Sequence, residues 1–294
     1  MTLPTFLFIG PDKTGSSWIY EYLDAHPQCF VPEAKDLYFF DREYSRGLKW
    51  YEKFFAPARP DHVAVGELSH DYILSDEVAD RIRADLPGVK LISVIRNPVE
   101  RTYSHYLYLQ RSGMTQGSFS EALTRFPDLI ENSRYSVMLQ RYRDRFPEEQ
   151  LCFLMFDDLK RQPQVFADQL ADFLGIERMN AEDIGIVRPA SRARSYHLAR
   201  LMKIGAAAAR KLGLQNLVGR VKHGALGQSL YVPIDKSERE RLSAEDRATL
   251  EQAFAAEFRW IESFTGVTLA SPAAVPQDQM RQDISTGSGK ADAK

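Results

Sequence analysis

The sequence predicts an α/β protein: a three-layer arrangement with a central parallel sheet flanked by helices. Three observations carry that prediction. Short apolar runs alternate with segments of helical length and spacing over the first 175 residues or so, the pattern of successive strand–helix units. The run Val89–Ile95 reads as one apolar block bounded by Pro87-Gly88 and Arg96-Asn97-Pro98, which suits a parallel strand covered on both faces. A glycine-containing turn, Gly10 to Ser17, joins the first apolar run to the first helical pattern, as in a βα unit.

Each element follows from local chemistry. A strand is expected over Thr5–Gly10 and a helix over Ser16–Ala25, closed by His26-Pro27, because the residue before proline is pushed out of helical geometry. A second strand is expected over His62–Glu67. A helix from Ser75 to Leu86 follows, with Ser75 and Glu77 supplying its N-terminal chemistry. The strand Val89–Ile95 leads into a helix over Val99–Gln110, where Pro98 fits the first helical position. A fourth strand over Gln150–Phe156 precedes a helix over Pro163–Leu174, stopped by Gly175. Helical patterns recur over Leu198–Leu212 and Ala244–Phe264. Beyond Ser271 the chain is polar and aperiodic, so 271–294 is expected to be a disordered tail behind a single domain, 1–270.

Composition bounds the function. With 294 residues, 44% hydrophobic and 27% charged, the chain has the proportions of a globular domain with ample core. Two cysteines and six scattered histidines offer neither a disulfide framework nor metal-ligand spacing, so no metal is expected. No stretch approaches the roughly 20 apolar residues of a membrane span, and MTLPTFLFIG lacks the basic start of a signal peptide. A cytoplasmic location without an integral membrane segment is the resulting expectation. A net charge of −2 argues against nucleic acid as a partner, but the average conceals an imbalance. Residues 184–234 hold nine Lys and Arg and no acidic residue, a basic region that suits something anionic nearby. Nothing in the sequence fixes an oligomeric state.

Two segments carry candidate chemistry. In Gly10-Pro11-Asp12-Lys13-Thr14-Gly15-Ser16-Ser17, backbone N–H groups at a helix start can face an anion. Lys13 adds charge there, and Thr14, Ser16 and Ser17 add hydroxyls. The nucleoside triphosphatase loop ends in Gly-Lys-[Ser/Thr], whereas here Lys13 precedes Gly15. The strand Val89–Ile95 also ends in Arg96 rather than an acidic magnesium ligand. The second segment runs from Arg96 to Tyr106. Arg96 is placed at the carboxyl end of a central strand, and Arg101 and Ser104 share a helix face. Two cationic forks and a hydroxyl make a second phosphate cradle. Two metal-free cradles at one sheet edge suit a nucleotide phosphorylated at both ends of its ribose.

On these residues the sequence resembles the sulfotransferases that use 3′-phosphoadenosine 5′-phosphosulfate (PAPS), especially the heparan-sulfate-type branch and its bacterial relatives. GPDKTGSS resembles their 5′-phosphosulfate loop, and VIRNPVERTYSHY their 3′-phosphate motif, with Arg96 and Ser104 eight apart. Further matches are Asp36-Leu37-Tyr38-Phe39-Phe40, Gly47-Leu48-Lys49-Trp50-Tyr51 and the segment from Gly66-Glu67 to Tyr72. Tyr135 matches a recurrent tyrosine of the bacterial relatives.

The resemblance implies a P-loop-like fold, PAPS as donor co-substrate without a metal, and a small-molecule or glycan acceptor sulfated on a hydroxyl or amine. It gives Lys13, Thr14, Gly15, Ser16 and Ser17 to the donor's 5′ end and Arg96, Arg101 and Ser104 to its 3′ end. Arg192 and Arg194 in the basic lid would close over the cofactor. Lys13 is expected to act in catalysis by following charge onto the bridging oxygen. Asp36 stands where relatives place a glutamate base, with Glu67 and His70 as further catalytic candidates. The chain departs from the pattern at Leu68, where relatives commonly carry a lysine. The bland readings are a salt bridge of Asp36 with Lys35 or Lys49 and a structural His70. Two other functions remain open: an ATP-dependent kinase and a non-catalytic nucleotide-binding relative.

Overall fold

In the computed structural model the described residues are 2–185, 191–193, 196–211, 231–233 and 241–269. Five strands, β1 (Phe6–Gly10), β2 (Cys29–Phe30), β3 (Ala64–Leu68), β4 (Lys90–Ile95) and β5 (Leu151–Met155), form one sheet in the order β2-β3-β1-β4-β5. Every pairing within it is parallel. The chain fills one side of β1 and then crosses to the other, so β1 and β4 flank a topological switch point, where such sheets bind ligands beyond their carboxyl ends.

Side-chain alternation explains the three layers. From β1, Leu7 and Ile9 enter one apolar cluster with Leu91, Ile95, Ile82 and Tyr142. Phe6 and Phe8 enter the opposite one with Ile92, Val94, Ile19, Leu23 and Leu170. The first cluster is covered by α2 (Asp76–Asp85) and α4 (Tyr135–Arg143), the second by α1 (Ser16–Ala25) and α5 (Pro163–Leu174). Burial of each large apolar side chain stabilises by about 2–3 kcal/mol, so every strand is held from both faces. A third cluster joins Val99, Tyr106 and Leu109 of α3 (Pro98–Arg111) to Phe119, Leu250 and Phe254.

The expected elements are present with shifted ends. Ser75 caps α2 by accepting from the Val78 N–H, and Asn97 caps α3 with Pro98 in its first turn. Phe156, expected at the end of the fourth strand, instead starts a short helix, Phe156–Arg161. The helix expected over Ala244–Phe264 is two helices, Ala244–Ala253 and Ala255–Thr265, broken at Phe254. Leu250 and Phe254 pack on α3 while Ile261 packs beneath the sheet, and the break serves both sites. The pattern at Leu198–Leu212 is a helix over Tyr196–Lys211. The expected tail 271–294 lies outside the described residues, as does most of 212–234. Among the described residues no helix is long and apolar enough to cross a membrane.

Candidate active site at the carboxyl edge of the sheet

The loop after β1 is shaped by a register shift against β4 between Phe8 and Gly10. The Ser93 hydroxyl donates to the freed Gly10 carbonyl at 2.7 Å. Gly10, at φ 116°, passes so close to His70 that a Cβ would stand 2.0 Å from the His70 carbonyl oxygen, and only glycine permits this approach. Thr14 is fully buried and donates to the Pro11 carbonyl at 2.7 Å, closing the turn. Unlike α2 and α3, α1 begins at a glycine, Gly15, with no side-chain cap and no acidic residue in its first turn. Its positive end therefore suits an incoming anion.

Lys13, Asp36 and Tyr38 are the non-glycine residues with left-handed backbone among those described, at φ 65°, 66° and 54°. Each costs on the order of 1–3 kcal/mol, and such strain collects at functional sites. Lys13 Nζ lies 4.8 Å from the centre of the Tyr108 ring. Burial, with Arg111, Arg96 and Arg101 nearby and despite Asp12, lowers its pKa to about 8. Ser104 is half-buried one turn before Tyr108 on α3, so the two share a face.

Arg96 joins the two segments expected to cradle phosphates. Its guanidinium donates to the Lys13 carbonyl at 2.8 Å and lies 4.6 Å from the Phe156 ring centre, and its Nε is buried without a partner. The Tyr135 hydroxyl accepts from the Arg96 backbone N–H at 3.1 Å, fixing the strand end. Arg101 is fully buried and turned inward. It pairs with Asp12 and donates to the Leu129 carbonyl at 3.3 Å, to Ser133 at 3.2 Å and to the Asp12 carbonyl at 3.3 Å. Burial raises the Asp12 carboxyl, but Arg101, His105, His70 and Lys13 together hold it well below the usual carboxylate range.

The segment around Asp36 runs beside the end of β3, with the Asp36 N–H donating to the Leu68 carbonyl at 3.0 Å. Asp36 is 7% exposed, and its Oδ1 lies 2.9 Å from His70 Nδ1. His70 is thus a partner of Asp36, and Lys35 donates to Ser16 and Ser17 at 3.0 and 3.3 Å. Burial opposes charge on His70, but Asp36, with Asp71 and Asp12, raises its pKa above the ordinary value. The Tyr38 hydroxyl stands 3.1 Å from His70 Nε2.

Glu67 is 1% exposed, and hydroxyls take both its oxygens: Tyr51 at 2.9 Å and Tyr72 at 2.6 Å on Oε1, Ser69 at 2.6 Å on Oε2. Burial raises its pKa to about 7 against those three donors. Ser69 Oγ in turn accepts the Tyr38 N–H at 3.0 Å, and Tyr72 Oη the Phe40 N–H at 3.3 Å. Glu67 therefore holds the strained Asp36–Phe40 segment through two hydroxyls.

Arg192 lies on a strand, Ser191–Ala193, paired antiparallel with Tyr231–Pro233 and set against α3. Arg194 lies outside the described residues. On the helix Tyr196–Lys211, Leu201, Met202 and Ile204 are exposed. Lys35, read from the sequence only as a counter-ion for Asp36, donates to two hydroxyls at the start of α1, and its position beside Asp36 was the available signal.

A parallel sheet with an uncapped helix start and buried cations at its switch point defines an α/β protein whose carboxyl edge suits an anion. The sulfotransferase domain matches residues 3–188, and the chain belongs to the sulfotransferase family. It is 31% identical over 196 residues to human bifunctional heparan sulfate N-deacetylase/N-sulfotransferase 3, a match covering 59% of this chain and 22% of that protein. It is 30% identical over 156 residues to membrane-associated sulfotransferase kil1 of Dictyostelium discoideum, covering 50% of this chain and 33% of that one. The chain thus matches only a minor part of either relative. A sulfotransferase from Alicyclobacillus acidocaldarius has a similar structure, with TM-score 0.57 and 26% identity, covering 74% of this chain and 96% of that one.

Proposed function

We infer that this protein transfers a sulfuryl group from PAPS to a hydroxyl or amine of a glycan or small molecule, releasing adenosine 3′,5′-bisphosphate (PAP). The observation that carries the reading is the 2.8 Å bond from Arg96 to the Lys13 carbonyl. It locks the residues suited to one end of a bisphosphorylated donor onto those suited to the other. The buried, unpartnered Arg96 Nε and the uncapped start of α1 are donors that such a ligand fits. Family membership favours this reading over an ATP-dependent kinase.

The donor supplies the sulfuryl group and a good leaving group. Lys13, with Gly15, Ser16 and Ser17, faces its 5′ end while Thr14 closes the turn from within, and the Lys13 ammonium meets the charge that grows there during transfer. Arg96 and Ser104 face the 3′ end, a donor-binding role that the resemblance also gives to Arg192 and Arg194. Arg101, turned inward, holds the loop through Asp12 rather than touching the donor. Asp36 takes the acceptor's proton, and His70 fixes its carboxylate. Glu67 holds the Asp36 segment in its strained form. The basic region 184–234 favours an anionic acceptor, and the exposed Leu201, Met202 and Ile204 of helix Tyr196–Lys211 a partly apolar one.

The deciding experiment incubates the protein with sulfur-35 PAPS and candidate glycans and small molecules, and follows label transfer with and without EDTA. Label transfer that survives EDTA supports the reading. Absence of transfer alongside tight PAP binding favours a non-catalytic nucleotide-binding relative.

A further inference from the structure

The geometry points to Lys35 as a positioning residue for the donor's 5′ end: it orients the Ser16 and Ser17 hydroxyls and brings a second cation to the start of α1. This rests on the reading of that loop as the donor site. Lys35 Nζ donates to Ser16 Oγ at 3.0 Å and to Ser17 Oγ at 3.3 Å, across 19 and 18 residues of chain. A hydroxyl that accepts from an ammonium has its own proton polarised and turned elsewhere. For these two serines, elsewhere includes the uncapped helix start.

Electrostatics supports the assignment. A cation at a helix N-terminus opposes the macrodipole, and an anion bound there is attracted by both. Lys35 is carried to that place by the backbone, because the Asp36 N–H is bonded to the Leu68 carbonyl. Leu68 itself is 1% exposed and packs in the apolar cluster with Phe8 and Trp18, so this position offers no cation. The neighbouring strap supplies it instead.

The test uses PAP titration calorimetry and PAPS kinetics on the full chain. Lys35→Met is expected to weaken PAP binding by about tenfold, the scale of a lost charge-assisted hydrogen bond, and to flatten its salt dependence. Lys35→Arg is expected to keep most of the affinity. The cost of Lys35→Met should shrink in a Ser16→Ala/Ser17→Ala background, leaving only the direct pull of the ammonium on the anion. PAP affinity and kcat/KM for PAPS within twofold of wild type in Lys35→Met, or strictly additive losses in the combined variant, would overturn the inference while the wild type still binds PAP. Failure of the wild type to bind PAP overturns the donor reading itself, and this inference with it.

Discussion

Arg101 and Asp12, 89 positions apart, form an ion pair in which the guanidinium is fully buried. It ties the loop after β1 to the first turn of α3, so the two motifs expected to hold opposite ends of one donor are a single rigid unit. Arg101→Met would leave Asp12 without its main counter-charge and the Leu129 carbonyl and Ser133 without a donor. Removing one partner of a buried pair costs about 3–5 kcal/mol. Chemical denaturation should show a loss of that size, and unchanged stability would refute the structural role.

Lys13 is expected to set a pH limit on donor capture. Its pKa, lowered to about 8 by burial and neighbouring arginines, means that the free protein loses the ammonium above that pH. The expected profile of kcat/KM for PAPS falls above about pH 8. Lys13→Arg, whose guanidinium stays charged, should be slower but lack the falling limb. A wild-type profile flat to pH 9.5 would remove Lys13 from the binding step.

Glu67 makes stability depend on pH. Its folded pKa of about 7 exceeds the model-compound value of 4.5, so the native state holds the proton more tightly than the unfolded chain. The contribution is complete below pH 4.5 and is lost as pH rises through 7, on the order of 3 kcal/mol across that window. Denaturation midpoints measured from pH 4.5 to 8 should slope downward for wild type and less so for Glu67→Gln. Equal slopes would contradict the assignment.

Asp36 and His70 are separable by experiment. Asp36→Asn should lower turnover by about 10²–10⁴-fold, the scale of a lost general base, while PAP affinity stays near wild type. It should also lower the His70 pKa, read by NMR, because Asp36 is the chief group raising it against burial. Near-normal turnover in Asp36→Asn would pass the base role elsewhere.

Much of this was legible in the chain. The apolar runs at Phe6–Gly10 and Lys90–Ile95 and the caps at Ser75 and Asn97 are local signals, and they fix sheet, helices and the placing of both phosphate motifs. The two-residue strand Cys29–Phe30 was not legible, since it exists only by pairing with Ala64 and Val65. Nor was the break at Phe254, which depends on two separate packing surfaces.

The sequence by itself determined the layered parallel sheet and the residue types at its carboxyl edge, because strand burial, turn chemistry and capping act over a few neighbouring positions. Only the tertiary structure decided how those residues divide their labour. Spacing put Arg101 beside Ser104 and left Glu67 open as a base, but direction and burial depend on partners far along the chain. Asp12 and Ser133 draw Arg101 inward, three hydroxyls enclose Glu67, and Lys35 reaches back to Ser16 and Ser17.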